Sequence, residues 1–164
     1  MHLGIDPGLR GALALVSDSC GALQWASTMP IMAVGKKHEI DERTLHERIC
    51  FARDTAGGGL VAHVEKVGAM PKQGVTSMFS FGAGWGLVRG ILCGLSIPYD
   101  LITPQQWQKT MLAGMPRGSE LNVARRLWPT FSFVMPGGRK DHEGAVDAAL
   151  IAEAGRRLWK GGGE

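Results

Sequence analysis

Hydrophobic and polar positions in the first part of the chain follow patterns typical of β-strands. Apolar runs at residues 3–6 and 11–17 flank Pro7-Gly8, a pair that favours a turn, so they predict a β-hairpin. A third antiparallel strand is expected around residues 22–29. Residues 60–65 form a compact apolar run that ends in an acid, which predicts a buried central strand.

Most of the remaining segments have the spacing of amphipathic helices. Asp41 is the expected N-cap of a helix that stops at Gly57-Gly58-Gly59. Residues 97–102 predict one further strand, and the other predicted helices cover residues 73–95, 104–112, 119–128 and 142–159. We therefore expect an α/β fold with a mixed five-stranded sheet flanked by helices, summarised as the order β-β-β-α-β-α-β-α-α. No repeat or linker interrupts the chain, which predicts a single domain over residues 1–164.

Glycine is unusually frequent, with 24 residues in 164, and one set of glycines is regularly spaced. Gly82, Gly86, Gly90 and Gly94 lie four residues apart within the predicted helix 73–95. A glycine lowers helix stability by about 1 kcal/mol relative to alanine. A structural requirement should therefore offset this cost, and we expect close approach of this helix to the sheet or to a second subunit.

Composition excludes several protein classes. No apolar run approaches the length of a membrane span, and no secretory leader is recognisable, which favours a soluble cytoplasmic protein. The cysteines, Cys20, Cys50 and Cys93, include no Cys-x-x-Cys pair and are predicted to be reduced and buried. The net charge of +3 is divided unevenly, with −2 over residues 1–65 and +5 from Lys66 onward. A basic second half is a weak indication of a nucleic-acid partner.

Three acids occupy positions that suit neither a plain core nor a plain surface. Asp6 and Glu65 end predicted buried strands, and Asp147 lies in an otherwise apolar helical segment. Buried carboxylates are unfavourable unless they are paired or bound to metal, so the three together suggest a shared cation. Glu143 precedes Asp147 by one helical turn and is the candidate fourth acid, whereas Asp141 competes for that role but is better placed for N-capping.

Carboxylate ligands favour Mg²⁺ or Mn²⁺ over zinc, and the five histidines contain no zinc-binding His-Glu-x-x-His pattern. His63 is expected to have a satisfied core role, while His142 is close enough in sequence to reach the site. Four carboxylates around two Mg²⁺ ions are suited to phosphodiester hydrolysis, since one ion activates water and the other stabilises the leaving oxygen.

Ordered motifs over nearly the whole chain resemble RuvC-type Holliday junction resolvases of the ribonuclease H-like superfamily, and the phage-type branch most. The motifs are Gly4-Ile-Asp6-Pro-Gly8-Leu-Arg-Gly11-Ala12, Val64-Glu65-Lys66-Val67, Met70-Pro-Lys72-Gln-Gly74, Phe81-Gly82-x-x-x-Gly86-x-x-x-Gly90, Thr103-Pro104-x-x-Trp107-x-Lys109 and Glu143-x-x-x-Asp147-Ala148-x-Leu150-Ile151-Ala152. Two departures stand out. Bacterial members space the last two acids three apart rather than four, and they carry a junction-wedging aromatic after the second acid, where this chain has only Met70.

The resemblance implies a ribonuclease H-like sheet and a Mg²⁺-dependent endonuclease that resolves four-way DNA junctions as a homodimer. It implies metal ligation by Asp6, Glu65, Glu143 and Asp147, with Lys109 near the scissile phosphate. Basic residues downstream of the acidic strands are expected to contact DNA phosphates, namely Lys66, Lys72, Arg117, Arg139 and Lys140. The alternatives are a broader nuclease for forks and flaps, a structure-specific DNA-binding protein without activity, and an actin-like ATPase, for which 164 residues are too few.

Overall fold

The computed structural model of the protein describes residues 1–66, 68 and 74–159. Within those residues, the elements in chain order are β1 (His2–Asp6), β2 (Ala12–Val16), β3 (Leu23–Thr28), β4 (Ile31–Val34), β5 (Lys37–Ile40), α1 (Glu42–Thr55), β6 (Val61–Glu65), α2 (Val75–Gly94), β7 (Tyr99–Ile102), α3 (Pro104–Met111), α4 (Glu120–Leu127) and α5 (Glu143–Leu158).

Five strands form a mixed sheet in the order β3-β2-β1-β6-β7. The strands β1, β2 and β3 pair antiparallel, as a hairpin and a third strand should, whereas β6 is parallel to both β1 and β7. The expected mixed five-stranded sheet flanked by helices is therefore confirmed. Because β1, β6 and β7 run in one direction, their carboxyl ends meet at the same edge of the sheet.

Hydrophobic side chains cover both faces of this sheet. On one face Leu3 and Ile5 of β1 pack with residues of α1 and α2, including Leu45 and Leu92. On the other face β2 packs with residues of α3, α4 and α5. The alternation of side chains along a strand explains the division, since residues 2, 4 and 6 of β1 point away from Leu3 and Ile5 and toward α5.

The helix α5 lies in direct contact with β1 and β6 because the residues between them include glycines. A Cβ atom on Gly4 would lie only 2.0 Å from the backbone oxygen of Ala148, and one on Gly155 would lie 2.1 Å from the ring of His63. Glycine is therefore required at both positions. This close packing places the first turns of α5 beside the end of β1.

The structure differs from the expectations from sequence in three respects. The segment between β3 and Asp41, for which the sequence predicted no element, forms a small antiparallel sheet of β4 and β5, and Gly35 adopts the positive φ that its tight turn needs. Three helices follow β7, one more than the summary order contains. Of the three cysteines, Cys20 and Cys93 are exposed and Cys50 is half-buried, and all are free thiols.

Among the described residues, no helix has the length and apolar character needed to cross a membrane.

For the helix stripe, the structure bears on one of the two expectations, close approach to the sheet. The residues of α2 that face the interior are Gly84, Val88 and Leu92, and a Cβ on Gly84 would meet Ile40 of β5 at 2.7 Å. The predicted stripe of glycines at 82, 86, 90 and 94 instead faces away from the sheet, since among the described residues no atom beyond the helix's own nearby backbone lies within 4 Å of a Cβ built at any of them. The stripe therefore does not serve contact with the sheet.

Candidate active site at the carboxyl edge of the sheet

Asp6 ends β1 and enters a tight turn that holds its carboxylate. The Gly8 amide donates to Asp6 Oδ1 at 3.2 Å, and the Gly11 amide donates to the Gly8 carbonyl at 2.8 Å. Gly11 has no room for a side chain, because a Cβ there would lie 2.1 Å from the Asp6 backbone oxygen. Burial raises the pKa of Asp6, while the Gly8 amide and nearby His142 oppose that rise.

Glu65 occupies the equivalent position at the end of the neighbouring parallel strand β6. It lies on the α5 side of the sheet, two residues beyond buried His63. The indole N–H of Trp107 donates to Glu65 Oε1 at 2.8 Å. Burial raises the pKa of Glu65, the Trp107 hydrogen bond opposes this rise, and the charge of Asp6 adds to it.

Asp147 projects from the second turn of α5 toward these two acids. Burial raises the pKa of Asp147 from 3.8 to about 7, and the negative charges of Asp6, Glu65, Glu120 and Glu143 contribute in that order. Three acids that are far apart in sequence therefore interact electrostatically at one edge of the sheet. Such mutual repulsion at half-buried carboxylates is a recurring property of functional sites.

A cavity of about 710 Å³ opens beside Asp147. Its wall includes acids and bases, namely Glu120, Arg139, Lys140, Asp141, Glu143 and Asp147, together with Trp107, Gln108 and apolar residues. A cavity with both kinds of charge next to clustered carboxylates can accept an anionic ligand on the basic residues and direct it toward the acids.

Asp141 and Glu143 differ in their surroundings. Asp141 accepts a hydrogen bond from Arg125 at 2.7 Å, so its charge is already paired. It is not the N-cap of α5, contrary to expectation, because His142 takes that place and its Nδ1 accepts from the Ala145 amide at 3.1 Å. Glu143 is exposed on the first turn of α5, one turn before Asp147 as the spacing predicts.

The basic candidates are only partly gathered at this edge. Arg139 and Lys140 line the cavity. Lys66, Lys109 and Arg117 are exposed outside the cavity wall, and Lys72 lies outside the described residues, as does Met70.

Two residues that contribute to the site were not predicted from sequence. Glu120 lies at the start of the predicted helix 119–128, where an acid is common, and Trp107 was part of a quoted motif without a role of its own.

The donor chemistry of the site fits a hard divalent cation. Asp6, Glu65 and Asp147 supply carboxylate oxygens, which Mg²⁺ and Mn²⁺ prefer, and a cation would relieve the repulsion that raises the pKa of Asp147. Among the residues that the structure describes, no three histidine, cysteine, aspartate or glutamate side chains form a group close enough to hold a metal ion. The acids therefore share an electrostatic environment without forming a closed ligand cage.

The architecture, with a mixed five-stranded sheet between two layers of helices, is the RuvC-like form of the ribonuclease H-like α/β fold. The RuvC of Thermus thermophilus in complex with a Holliday junction substrate matches it with a TM-score of 0.64 and 14% sequence identity, covering 93% of this chain and 90% of that one. A second Thermus thermophilus RuvC structure has a TM-score of 0.57 and 16% identity, covering 96% and 95%. No protein-family model and no curated protein matches the chain.

Proposed function

We propose that this protein is a structure-specific DNA endonuclease that resolves four-way junctions by divalent-metal-dependent phosphodiester hydrolysis, leaving 5′-phosphate ends. The observation that carries the proposal is the convergence of Asp6, Glu65 and Asp147 at one edge of the sheet, where burial and the charges of the neighbouring acids raise the pKa of Asp147 to about 7. The RuvC-like fold and the junction bound by the Thermus protein support the choice of substrate.

The residues that would hold Mg²⁺ or Mn²⁺ are Asp6, Glu65, Asp147 and Glu143. Glu143 is preferred over Asp141 because Asp141 already pairs with Arg125, whereas Glu143 is exposed and acts on Asp147. Two bound ions would activate the attacking water and stabilise the leaving oxygen. The chain itself supplies the frame, since the Gly8 amide and the Trp107 indole each hold one carboxylate oxygen in place.

Basic side chains near the acids would bind the DNA backbone. Arg139 and Lys140 line the cavity with Glu143 and Asp147, so phosphate contacts there would bring a scissile bond to the carboxylates. Lys109 projects from the last turn of α3, two residues after Trp107, and would contact a flanking phosphate. Lys66, Lys72 and Arg117 are proposed to extend the contact along a junction arm.

Resolution of a four-way junction requires two nicks on opposite strands, so we propose a homodimer with two-fold symmetry. The glycine stripe of α2 is the proposed contact surface. Gly82, Gly86 and Gly90 face away from the sheet, while Val88 and Leu92 bind the helix to it. A second α2 helix could approach this surface closely because the glycines themselves carry no side chain.

The test is to incubate the protein and Mg²⁺ with a labelled four-way junction, a replication fork, a linear duplex and an RNA–DNA hybrid. Preferential cutting of the junction in paired, symmetric positions is expected. Asp6→Asn and Asp147→Asn should abolish cutting and retain junction binding, while Glu47→Gln, which changes an exposed acid on α1, should cut normally.

The other outcomes identify the alternatives. Equal cutting of junction and fork indicates a broader debranching nuclease, and cutting confined to the hybrid indicates a ribonuclease H. Junction binding without cutting in Mg²⁺ or Mn²⁺ indicates a DNA-binding protein that is not an enzyme. Equal cutting of all four substrates would refute structure specificity.

A further inference from the structure

Trp107 makes an unusual contact for a core tryptophan. Its side chain is only 2% exposed and packs among the apolar residues of α3, α4 and α5. Its indole N–H nevertheless points out of this core and donates to Glu65 Oε1 at 2.8 Å. A buried indole N–H needs an acceptor, and here the acceptor is a carboxylate of the candidate site.

The surrounding backbone fixes the position of both partners. Thr103 caps α3 in a reciprocal capping box with Gln106, which holds the start of the helix that carries Trp107. The Lys66 amide donates to the Ile102 carbonyl at 2.8 Å, so pairing of β6 with β7 continues past Glu65. A second indole, that of Trp85 on α2, donates to the Glu65 backbone oxygen at 3.3 Å.

We propose that Trp107 is a positioning residue that orients the Glu65 carboxylate for metal binding, an inference that rests on the proposed function. The indole holds Oε1 of a carboxylate whose charge interacts with that of Asp6. Because the indole is uncharged, it fixes the carboxylate without adding a positive charge that would compete with a cation. An arginine or lysine in the same place would offset the negative charge that a metal ion requires.

Trp107→Phe tests this proposal because it keeps an aromatic ring and removes the N–H donor, and a control at a second buried tryptophan accounts for the lost ring volume. Trp128→Phe is the matched control. Trp128 is 6% exposed, and its indole donates at the same 2.8 Å to the Gly21 backbone oxygen, away from the carboxylates. Each variant therefore loses one buried indole hydrogen bond, and only one of them loses a contact to the site.

The first readout is the Mg²⁺ concentration that gives half of the metal-induced rise in Tm, measured with Mg²⁺ alone and no DNA. Residues that orient metal ligands typically contribute 10-fold to 100-fold to metal affinity. We expect the midpoint to rise at least 10-fold in Trp107→Phe and less than 2-fold in Trp128→Phe. In cleavage assays at fixed Mg²⁺, kcat should fall for Trp107→Phe while KM for the junction is unchanged.

The second readout is the indole N–H region of the ¹H–¹⁵N NMR spectrum of the unsubstituted protein during Mg²⁺ addition. The Trp107 signal should move, and the Trp128 signal should not; this readout decides the matter if Trp107→Phe does not fold. An unchanged Mg²⁺ midpoint in Trp107→Phe, equal changes in both variants, or a stationary Trp107 signal would overturn the proposal. A protein that cuts no junction but shows the expected Mg²⁺ response contradicts the proposed function alone.

Discussion

Asp147 provides the most quantitative prediction, since its carboxylate destabilises the metal-free fold. Burial and four neighbouring acids raise its pKa from 3.8 to about 7. Replacing Asp147 with asparagine removes the charge and nearly preserves the shape of the side chain. We therefore expect Asp147→Asn to stabilise the metal-free protein at pH 8 while abolishing cleavage.

The magnitude follows from the same pKa. A pKa that is higher in the folded protein by three units corresponds to about 4 kcal/mol of unfavourable free energy for the ionised form. Asp147 is only half-buried and the acids share their repulsion, so the gain in the free energy of unfolding should be about 1–3 kcal/mol. For a chain of this length, each kcal/mol raises Tm by about 2–4 °C.

The assay is thermal unfolding at pH 8 in EDTA and again in Mg²⁺. In EDTA the variant should melt above the unsubstituted protein, and Mg²⁺ should stabilise the unsubstituted protein much more than the variant. Glu153→Gln on the same helix is the opposite control. Glu153 is 3% exposed and accepts hydrogen bonds from Arg156 and Arg157, so its substitution should lower Tm.

The reasoning is refuted if Asp147→Asn melts at or below the Tm of the unsubstituted protein in EDTA. It is also refuted if both proteins gain equally from Mg²⁺. The first result would mean that the carboxylate of Asp147 is not repelled by its neighbours, and the second that it is not part of a cation site.

Four further predictions concern the pH dependence of stability, the packing of Gly4 against α5, the DNA contacts and the dimer surface. Because the pKa of Asp147 is higher in the folded than in the unfolded chain, the stability of the metal-free protein should fall as pH rises from about 4 to about 7, and Asp147→Asn should flatten this fall in a pH series of Tm measurements. Gly4→Ala should destabilise the fold by more than about 2 kcal/mol in urea unfolding, because its Cβ would clash with the backbone of α5. Arg139→Ala and Lys140→Ala should each weaken junction binding and reduce the slope of log K against log salt by about 1. Gly86→Arg should convert the proposed dimer to a monomer in sedimentation analysis, and an unchanged dimer would exclude the glycine stripe as the interface.

The sequence predicted the framework of the fold because its signals are local. The turn pair after Asp6, the N-cap at Asp41 and the apolar run before Glu65 each depend on neighbouring residues, and the corresponding elements are present. The β4–β5 hairpin was missed because its strands are exposed, so no alternation of buried and exposed residues marks them. The direction faced by the glycine stripe was open to two interpretations, since spacing alone does not show which side of a helix packs.

The site was predictable as a set of residue types and not as a set of contacts. Strand ends at Asp6 and Glu65 and an apolar helix around Asp147 were enough to place three acids together. The pairing of Asp141 with Arg125 connects residues 16 positions apart, and the Trp107 contact to Glu65 spans 42. Such contacts depend on how α3, α4 and α5 pack, which no local pattern encodes.

The most direct test of the central claim is a crystal structure of the protein grown with Mn²⁺, whose anomalous scattering locates the ion. We expect Mn²⁺ bound by Asp6, Glu65 and Asp147, with Glu143 completing the site and Asp141 still paired with Arg125. Mn²⁺ absent from these carboxylates at a concentration that supports cleavage, or bound instead through Asp141, would contradict it.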